Sequence, residues 1–137
     1  MGYEFRTLDG RVVKCSLLSI NYPMRSEANC RSRAQYRFGR RLLYTFAGEI
    51  VLEEFIIPKE HGLSLDFYIP RLCIAFEVDG HQHDTFVPFM HGDRDGFQNQ
   101  KARDSLKAEW CDINRIRLIR VSDKDVDDFD ILGAIGG

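Results

Sequence analysis

Three carboxylates occupy strand-like sequence near the middle of the chain, at a spacing that could support chemistry. They are Asp66, Glu77 and Asp79, in the stretch LDFYIPRLCIAFEVDGHQH. A β-hairpin turning at Arg71 and Leu72 would place Asp66 opposite Glu77, with Cβ atoms roughly 5 Å apart. Because side chains alternate faces along a strand, Asp79 would point to the same side. The spacing therefore predicts a cluster of three carboxylates on one face.

Carboxylates this close repel one another, and a divalent cation would offset the repulsion. Mg²⁺ takes oxygen ligands from one or two carboxylates and keeps several waters for chemistry. Each acid alone is more typical of a solvated surface, but Glu77 follows an apolar run and matches Asp66 across the hairpin. A rival zinc site, built from His81 and His83 with His91 or Cys73, is less favoured because structural zinc prefers four nitrogen or sulfur ligands.

Length and composition predict one globular domain spanning residues 1–137. The chain has a net charge of −2 and 44% hydrophobic residues, a composition typical of a chain that buries one core. It shows no apolar run of about 18 residues and no signal-peptide pattern, so we expect a soluble cytoplasmic protein without a membrane partner. Four cysteines without CxxC spacing favour reduced thiols.

The first half of the chain divides into strands, a connector and a helix. Asp9-Gly10 predicts a hairpin turn, so residues 1–25 are interpreted as an N-terminal β-hairpin extension. Residues 26–121 would form the catalytic core, beginning with a helix that Ser26 caps and that runs to about Phe46. A strand at 50–57 then leads into the carboxylate hairpin.

The second half is predicted to contain a long loop, a helix, a strand and an acidic C-terminal segment at 122–137. The helix would span 97–113, and the strand 115–121. Ser122 would cap a short acidic helix. Apolar residues at helical spacing predict the buried stripe of the long helix: Ala102, Leu106, Trp110 and Ile113.

The net charge is close to zero, but the charges are unevenly distributed. Segment 31–41 carries five arginines, whereas aspartates crowd the C-terminus. A basic patch can follow phosphates even when acidic residues elsewhere cancel the total charge. We expect four first-helix arginines to contact DNA: Arg33, Arg37, Arg40 and Arg41.

Four blocks of the sequence resemble a known family. LDFYIP, EVDGxQH, RDxxKxEWC and LIRV resemble the PD-(D/E)XK nuclease superfamily, and most of all its very-short-patch repair endonucleases and related phage, mobile-element and homing nucleases. The resemblance covers residues 32–121. It implies a restriction-endonuclease-like α/β sandwich, with a central mixed β-sheet flanked by helices. It also implies a bacterial or phage-infected host cell.

The resemblance assigns roles to the residues of the carboxylate hairpin. Asp66 and Glu77 match the metal-binding acids, and the backbone carbonyl of Val78 would be a further ligand. Asp79 stands where many members carry the motif lysine, a substitution found in this branch. His83 matches the branch's histidine and would act as general acid or base, or position a water.

The helices supply the remaining expected site residues. A cation could stabilise charge that develops in the transition state; Lys101 is predicted to be this catalytic residue, and Lys107 could supply the charge in its place. Gln35 stands where relatives often carry a glutamate, and glutamine adds no negative charge. The residues expected to support the site are Gln35, Gln82, Asp104 and Lys107.

These assignments predict a Mg²⁺-dependent DNA endonuclease, in which Mn²⁺ could substitute, that nicks or cuts double-stranded DNA. Repair, homing and phage DNA processing all fit the same residues. The alternative is a non-catalytic DNA-binding or assembly module that retains the nuclease fold, and a weaker one is an RNA nuclease. The sequence does not decide between a monomer and a homodimer.

Overall fold

The computed structural model describes residues 2–80 and 94–136 of the chain, without the side chains of residues 94–99. The described elements are six strands and three α-helices: β1 (Gly2–Arg6), β2 (Val12–Ser16), α1 (Arg33–Thr45), β3 (Leu52–Ile56), β4 (Ser64–Ile69), β5 (Ile74–Asp79), α2 (Arg94–Ile113), β6 (Arg117–Ser122) and α3 (Ile131–Ile135). No described helix is long and apolar enough to cross a membrane.

The strands form a two-stranded and a four-stranded sheet. β1 and β2 make the predicted N-terminal hairpin, and β3-β4-β5-β6 is the order of the larger sheet. Its first three strands are antiparallel, whereas β5 and β6 run parallel. Parallel neighbours need a crossover connection, and α2 lies in it. The predicted α/β class and mixed sheet are therefore confirmed.

The β4–β5 hairpin has the predicted register. Phe67 pairs with Phe76, and one further step along the strands sets Asp66 opposite Glu77. The connection is longer than predicted, since a short 3-10 turn spans Pro70–Leu72. The larger turn is centred at the same point as the predicted one, so it shortens both strands equally and leaves the pairing of the remaining residues unchanged. The two carboxylates therefore still face each other.

Two apolar clusters hold the layers together, one on each side of the sheet. The first packs α1 and the C-terminal segment, and its members include Phe38, Leu42, Phe46, Phe67, Phe76 and Ile131. The second packs the N-terminal hairpin and the C-terminal end of α2, and its members include Phe5, Phe55, Leu65, Tyr68 and Trp110. Both faces of β4 and β5 are therefore covered.

The predicted cap of α1 is wrong. Ser32 caps the helix by accepting a hydrogen bond from the Gln35 backbone N–H at 3.0 Å, whereas Ser26 lies in a preceding turn. The segment before the helix is fixed in another way, because the Arg25 backbone N–H donates to the buried Glu53 carboxylate at 2.6 Å. The residues between Ser26 and Ser32, which the sequence pattern assigned to the helix, therefore precede it.

The predicted apolar stripe of α2 is also wrong in part. Trp110 is fully buried, but Ala102, Leu106 and Ile113 are exposed. The stripe that faces the sheet instead joins polar and apolar residues at helical spacing: Gln100, Asp104, Lys107 and Cys111. A polar face turned inward needs partners, and the sheet beneath it provides them.

The C-terminal segment is docked by apolar side chains and capped by an aspartate. Asp130 accepts a hydrogen bond from the Gly133 N–H at 3.0 Å and so caps α3. Ser122, the predicted cap, ends β6 and accepts from the Lys124 N–H at 3.3 Å. The aspartates between them lie mainly in turns, because burial of Val126 ties that segment to the core.

Candidate functional site

A polar cavity of about 640 Å³ lies at the end of β5. The sheet contributes Ser64, Asp66, Glu77, Val78 and Asp79 to its lining. The start of α1 contributes Arg31, Ser32, Ala34 and Gln35, and α2 contributes Gln100, Arg103, Asp104 and Lys107. The three predicted carboxylates are thus brought to one cavity, together with three of the four residues expected to support them.

Asp66 and Glu77 are held together by backbone hydrogen bonds. The Asp66 N–H donates to Glu77 Oε2 at 2.6 Å, and the Val78 N–H donates to Asp66 Oδ2 at 2.8 Å. Asp66 is 8% exposed and Glu77 3% exposed. Each carboxylate is bound by the backbone of the opposite strand, so neither side chain is free to swing away from the other.

Lys107 supplies positive charge to this pair. Its Nζ lies 2.7 Å from Glu77 Oε1, and its side chain is 14% exposed. A buried ion pair with good geometry is stronger than one in water. Lys101, the predicted catalytic lysine, is exposed and is not part of the cavity lining. The arrangement therefore favours Lys107 as the cation of the site.

The protonation of Asp66 is shifted. Burial raises the pKa of this carboxyl well above its usual range, and the negative charge of Glu77 raises it further. The Val78 N–H and Lys107 act in the opposite direction. Perturbed carboxyls in a cavity are typical of functional sites, although ion-pair networks perturb them too.

The carboxylates of Asp66 and Glu77 belong to a row of charged residues that crosses all four strands of the larger sheet. The β3–β4 register sets Glu54 opposite Asp66, and the β5–β6 register pairs Glu77 with Arg120. Glu54 has a left-handed backbone, with φ of +54°, and regular pairing lapses there. Such conformations in non-glycine residues cost of order 1 kcal/mol or more and are frequent at functional sites.

Gln35 links the first helix to this row. It is buried, and its Nε2 donates to Glu53 Oε2 at 2.9 Å and Glu54 Oε2 at 2.8 Å. The Cys30 thiol lies 3.1 Å from the same Glu53 oxygen, and burial and that contact raise its pKa to about 11. Two consecutive acids inside the apolar strand VLEEFII were a signal that sequence reasoning missed.

Arg120 joins α2 to the end of β5. Its guanidinium lies 3.5 Å from Asp79 Oδ1, and it donates to the Asp104 backbone carbonyl at 3.1 Å. The Asp104 carboxylate is 4.0 Å away. Sequence reasoning missed Arg120, because an arginine in a strand of alternating basic and apolar residues is more typical of a solvated face.

The four arginines predicted to contact DNA lie outside the cavity lining. Arg37 forms an ion pair with Asp127, and Arg41 donates to the backbone carbonyls of Val126 and Phe129 at 2.8 Å. The Arg40 guanidinium stacks 4.9 Å from the centre of the Tyr36 ring. Arg33 is exposed.

Gln82 and His83 lie outside the described residues, and so do His81 and His91 of the rival zinc site. Val78 lines the cavity, and the predicted role of its carbonyl stays a prediction.

The residues present fit a divalent cation held by two carboxylates. Within the described part of the chain, no group of three or more His, Cys, Asp or Glu side chains is arranged to hold a metal ion. Magnesium does not require one, because it is usually bound by one or two carboxylates and several waters. Asp66 and Glu77 both line the polar cavity and would supply the two carboxylates.

Comparison with known proteins finds viral relatives. "Uncharacterized protein 307L" of Invertebrate iridescent virus 6 is 41% identical over 60 residues, which are 44% of this chain and 30% of that protein. "Uncharacterized protein 094L" of Frog virus 3 (isolate Goorha) is 33% identical over 100 residues, 71% of this chain and 61% of that protein. The chain thus spans less than two thirds of either relative.

No family model and no solved structure matches the chain. A third relative, "Uncharacterized protein 033L", belongs to Invertebrate iridescent virus 3 and is 34% identical over 61 residues, 31% of its length. Since the relatives are iridovirus proteins, the bacterial or phage setting implied by the family resemblance is unsupported.

Proposed function

We propose that this protein is a metal-dependent nuclease that hydrolyses phosphodiester bonds in DNA, on a restriction-endonuclease-like fold. One observation carries the proposal: Asp66 and Glu77 are buried side by side in a polar cavity, with Lys107 against Glu77. A structural sheet gains nothing from two adjacent buried carboxylates. A site that must hold a cation beside a phosphate needs them.

The chain's own residues divide the chemistry. Asp66 and Glu77 would hold Mg²⁺, or Mn²⁺ in its place, and a bound cation would supply charge neutralisation and a water of lowered pKa. Lys107 would stabilise negative charge that develops on the phosphate. Asp79 forms an ion pair with Arg120, so we assign Asp79 a role in orienting the site. Gln35 binds acidic side chains here, so it organises the cavity without adding charge.

Cleavage of supercoiled plasmid tests the proposal. Purified protein is incubated with plasmid and Mg²⁺ beside Asp66→Asn, which keeps an acceptor for the Val78 N–H but removes the charge. Asp112→Asn, on the exposed side of α2, is the matched control. We expect nicked or linear product from the wild type and the control, and a loss of at least 100-fold in Asp66→Asn. Equal rates in all three proteins would refute the site.

A second function has specific support: a DNA-binding or assembly module with the same fold but no turnover. Both Glu77 oxygens already have partners, the Asp66 N–H and Lys107. Gln35 also replaces an acid with a neutral amide. On this alternative, Lys107 neutralises the carboxylates permanently and the site needs no cation.

Calorimetry separates the two functions. A nuclease should bind Mg²⁺ or Mn²⁺ with an affinity that drops in Asp66→Asn. A non-catalytic module should show no metal binding that depends on this carboxylate. The measurement requires no DNA, so an unknown target sequence does not affect the outcome.

A further inference from the structure

We infer that DNA enters the cavity between the start of α1 and the exposed side of α2, with its phosphates bound by Arg31 and Arg103. This inference rests on the proposed function and names the residues that bind the substrate backbone. Neither arginine is among the four that the sequence predicted to contact DNA.

The charge distribution of the cavity requires cations at its rim. Five acids line the described part of the cavity, Asp66, Glu77, Asp79, Asp104 and Asp123, and Lys107 and Arg120 are already paired with two of them. The remaining negative charge would repel a polyanion, so cations must attract it before it reaches the carboxylates. The lining residues that can do this are the arginines.

Arg31 and Arg103 come from different elements. Arg31 directly precedes the Ser32 cap of α1, and Arg103 lies on α2; both line the cavity. Guanidinium groups bind phosphate oxygens through two parallel hydrogen bonds, which suits them to a phosphodiester backbone. A strand that passes between them would bring its intervening phosphate towards Lys107 and Glu77.

Arg31 can be released for this role. Its guanidinium is paired with Glu54 at 3.6 Å, but the Arg31 side chain is 62% exposed. Water screens the Arg31 end of this pair. The Glu54 side chain is only 13% exposed, but it keeps the hydrogen bond from Gln35 Nε2 at 2.8 Å when Arg31 turns to a phosphate.

The competing surface for DNA is the outer side of α1, which we call the outer track. There, Arg37 and Arg41 already bind the C-terminal segment, which leaves Arg33 and Arg40 as the residues that a DNA strand would meet. This track lies outside the cavity lining. DNA bound along it would contact residues that do not reach the carboxylates.

Three double variants of the full chain distinguish the cavity rim from the outer track. Each of them removes two positive charges. Arg31→Gln/Arg103→Gln removes the rim, and Arg33→Gln/Arg40→Gln removes the outer track. Arg11→Gln/Lys14→Gln, on the N-terminal hairpin, controls for net charge. Binding of a fluorescein-labelled 20-base-pair DNA duplex and of its single strand is measured by anisotropy in EDTA, across a salt series.

We expect the rim variant to lose roughly tenfold in affinity and its salt dependence to flatten by roughly 1.5 in log–log slope, since each phosphate contact contributes about 0.7 to 0.9. The hairpin control should keep the wild-type slope. Thermal unfolding verifies folding, and Arg103→Gln alone serves if the rim double variant does not fold.

A rim variant that binds like the hairpin control, while the wild type binds and cleaves DNA, would overturn this inference and leave the proposed function standing. A larger loss in the outer-track variant than in the rim variant would overturn it as well. If the wild type neither binds nor cleaves, the proposed function fails and the inference fails with it.

Discussion

Two stretches of α2 pack on the same sheet in different ways. Its apolar end buries Trp110 and Cys111, with Trp110 against aromatic side chains, whereas its polar stretch, one to two turns earlier, points Asp104 and Lys107 into the cavity. Apolar burial stabilises the apolar end directly. The polar stretch packs through ion pairs, and the desolvation of these pairs offsets much of their attraction. We therefore expect the apolar end to contribute more to stability than the polar stretch.

The apolar end of α2 should respond most strongly to truncation. Trp110 is fully buried and its ring centre lies 5.3 Å from that of Phe5. We expect Trp110→Ala to lower the free energy of unfolding by about 3–5 kcal/mol, because it leaves a large cavity. Denaturant titration measures the change. Trp110→Phe is the control and should lose less, since no described residue accepts a hydrogen bond from the indole N–H; equal losses would contradict the packing account.

The polar stretch of α2 should show a smaller loss of stability when its lysine is removed. Lys107→Met leaves Glu77 without its cationic partner, and we expect a loss of roughly 1–3 kcal/mol, less than for a fully enclosed pair because the cavity admits water. Glu77→Gln in the Lys107→Met background should recover part of it. Denaturant titration of the four proteins gives the coupling energy, and a coupling near zero would show that the contact is incidental.

Removal of the Asp66 charge should stabilise the protein when no metal is present. Burial raises the pKa of Asp66, with Glu77 adding to the effect, so its stabilising contribution is complete below the unfolded value near 3.8. That contribution is lost as pH rises through the higher folded pKa. We therefore expect Asp66→Asn to be more stable than the wild type at pH 7, by on the order of 1 kcal/mol.

Thermal unfolding from pH 4 to pH 8 in EDTA measures this difference. The gap between Asp66→Asn and the wild type should close as the pH falls. A gap that widens towards low pH would reverse the assigned sign.

The outward side of α2 should be nearly indifferent to substitution. Leu106 is 39% exposed, although the sequence pattern placed it in the buried stripe. Leu106→Gln should change the free energy of unfolding by no more than about 0.5 kcal/mol. Denaturant titration beside Trp110→Ala provides the check, and a loss above 2 kcal/mol would restore the predicted stripe.

The sequence predicted the carboxylate pair because hairpin register follows from local alternation. Asp66 and Glu77 meet through strands joined by a short turn, so their spacing alone determines which residues face each other. The same reasoning failed for α2. Its apolar residues matched a helical period, yet a stripe containing Asp104 and Lys107 faces the sheet, and periodicity does not record which stripe faces inward.

Other parts of the site depend on long-range contacts that spacing does not encode. Arg120 reaches Asp79 only because β6 lies parallel to β5. The Ser26 cap failed because Glu53 fixes the backbone at Arg25, which no local pattern indicates. Glu53 and Glu54 were within reach of sequence reasoning, since acids inside an apolar strand had already identified Glu77.

The parallel pairing of β5 and β6 has a consequence for how the site assembles in time. Asp66 and Glu77 meet by local hairpin closure, whereas Lys107 and Arg120 arrive only after the long crossover closes, and non-local closure is slow. The acidic residues are therefore expected to gather before the basic ones during folding. Refolding should accelerate as Asp66 becomes protonated, which stopped-flow measurements across pH would detect as a change in the folding rate more than in the unfolding rate.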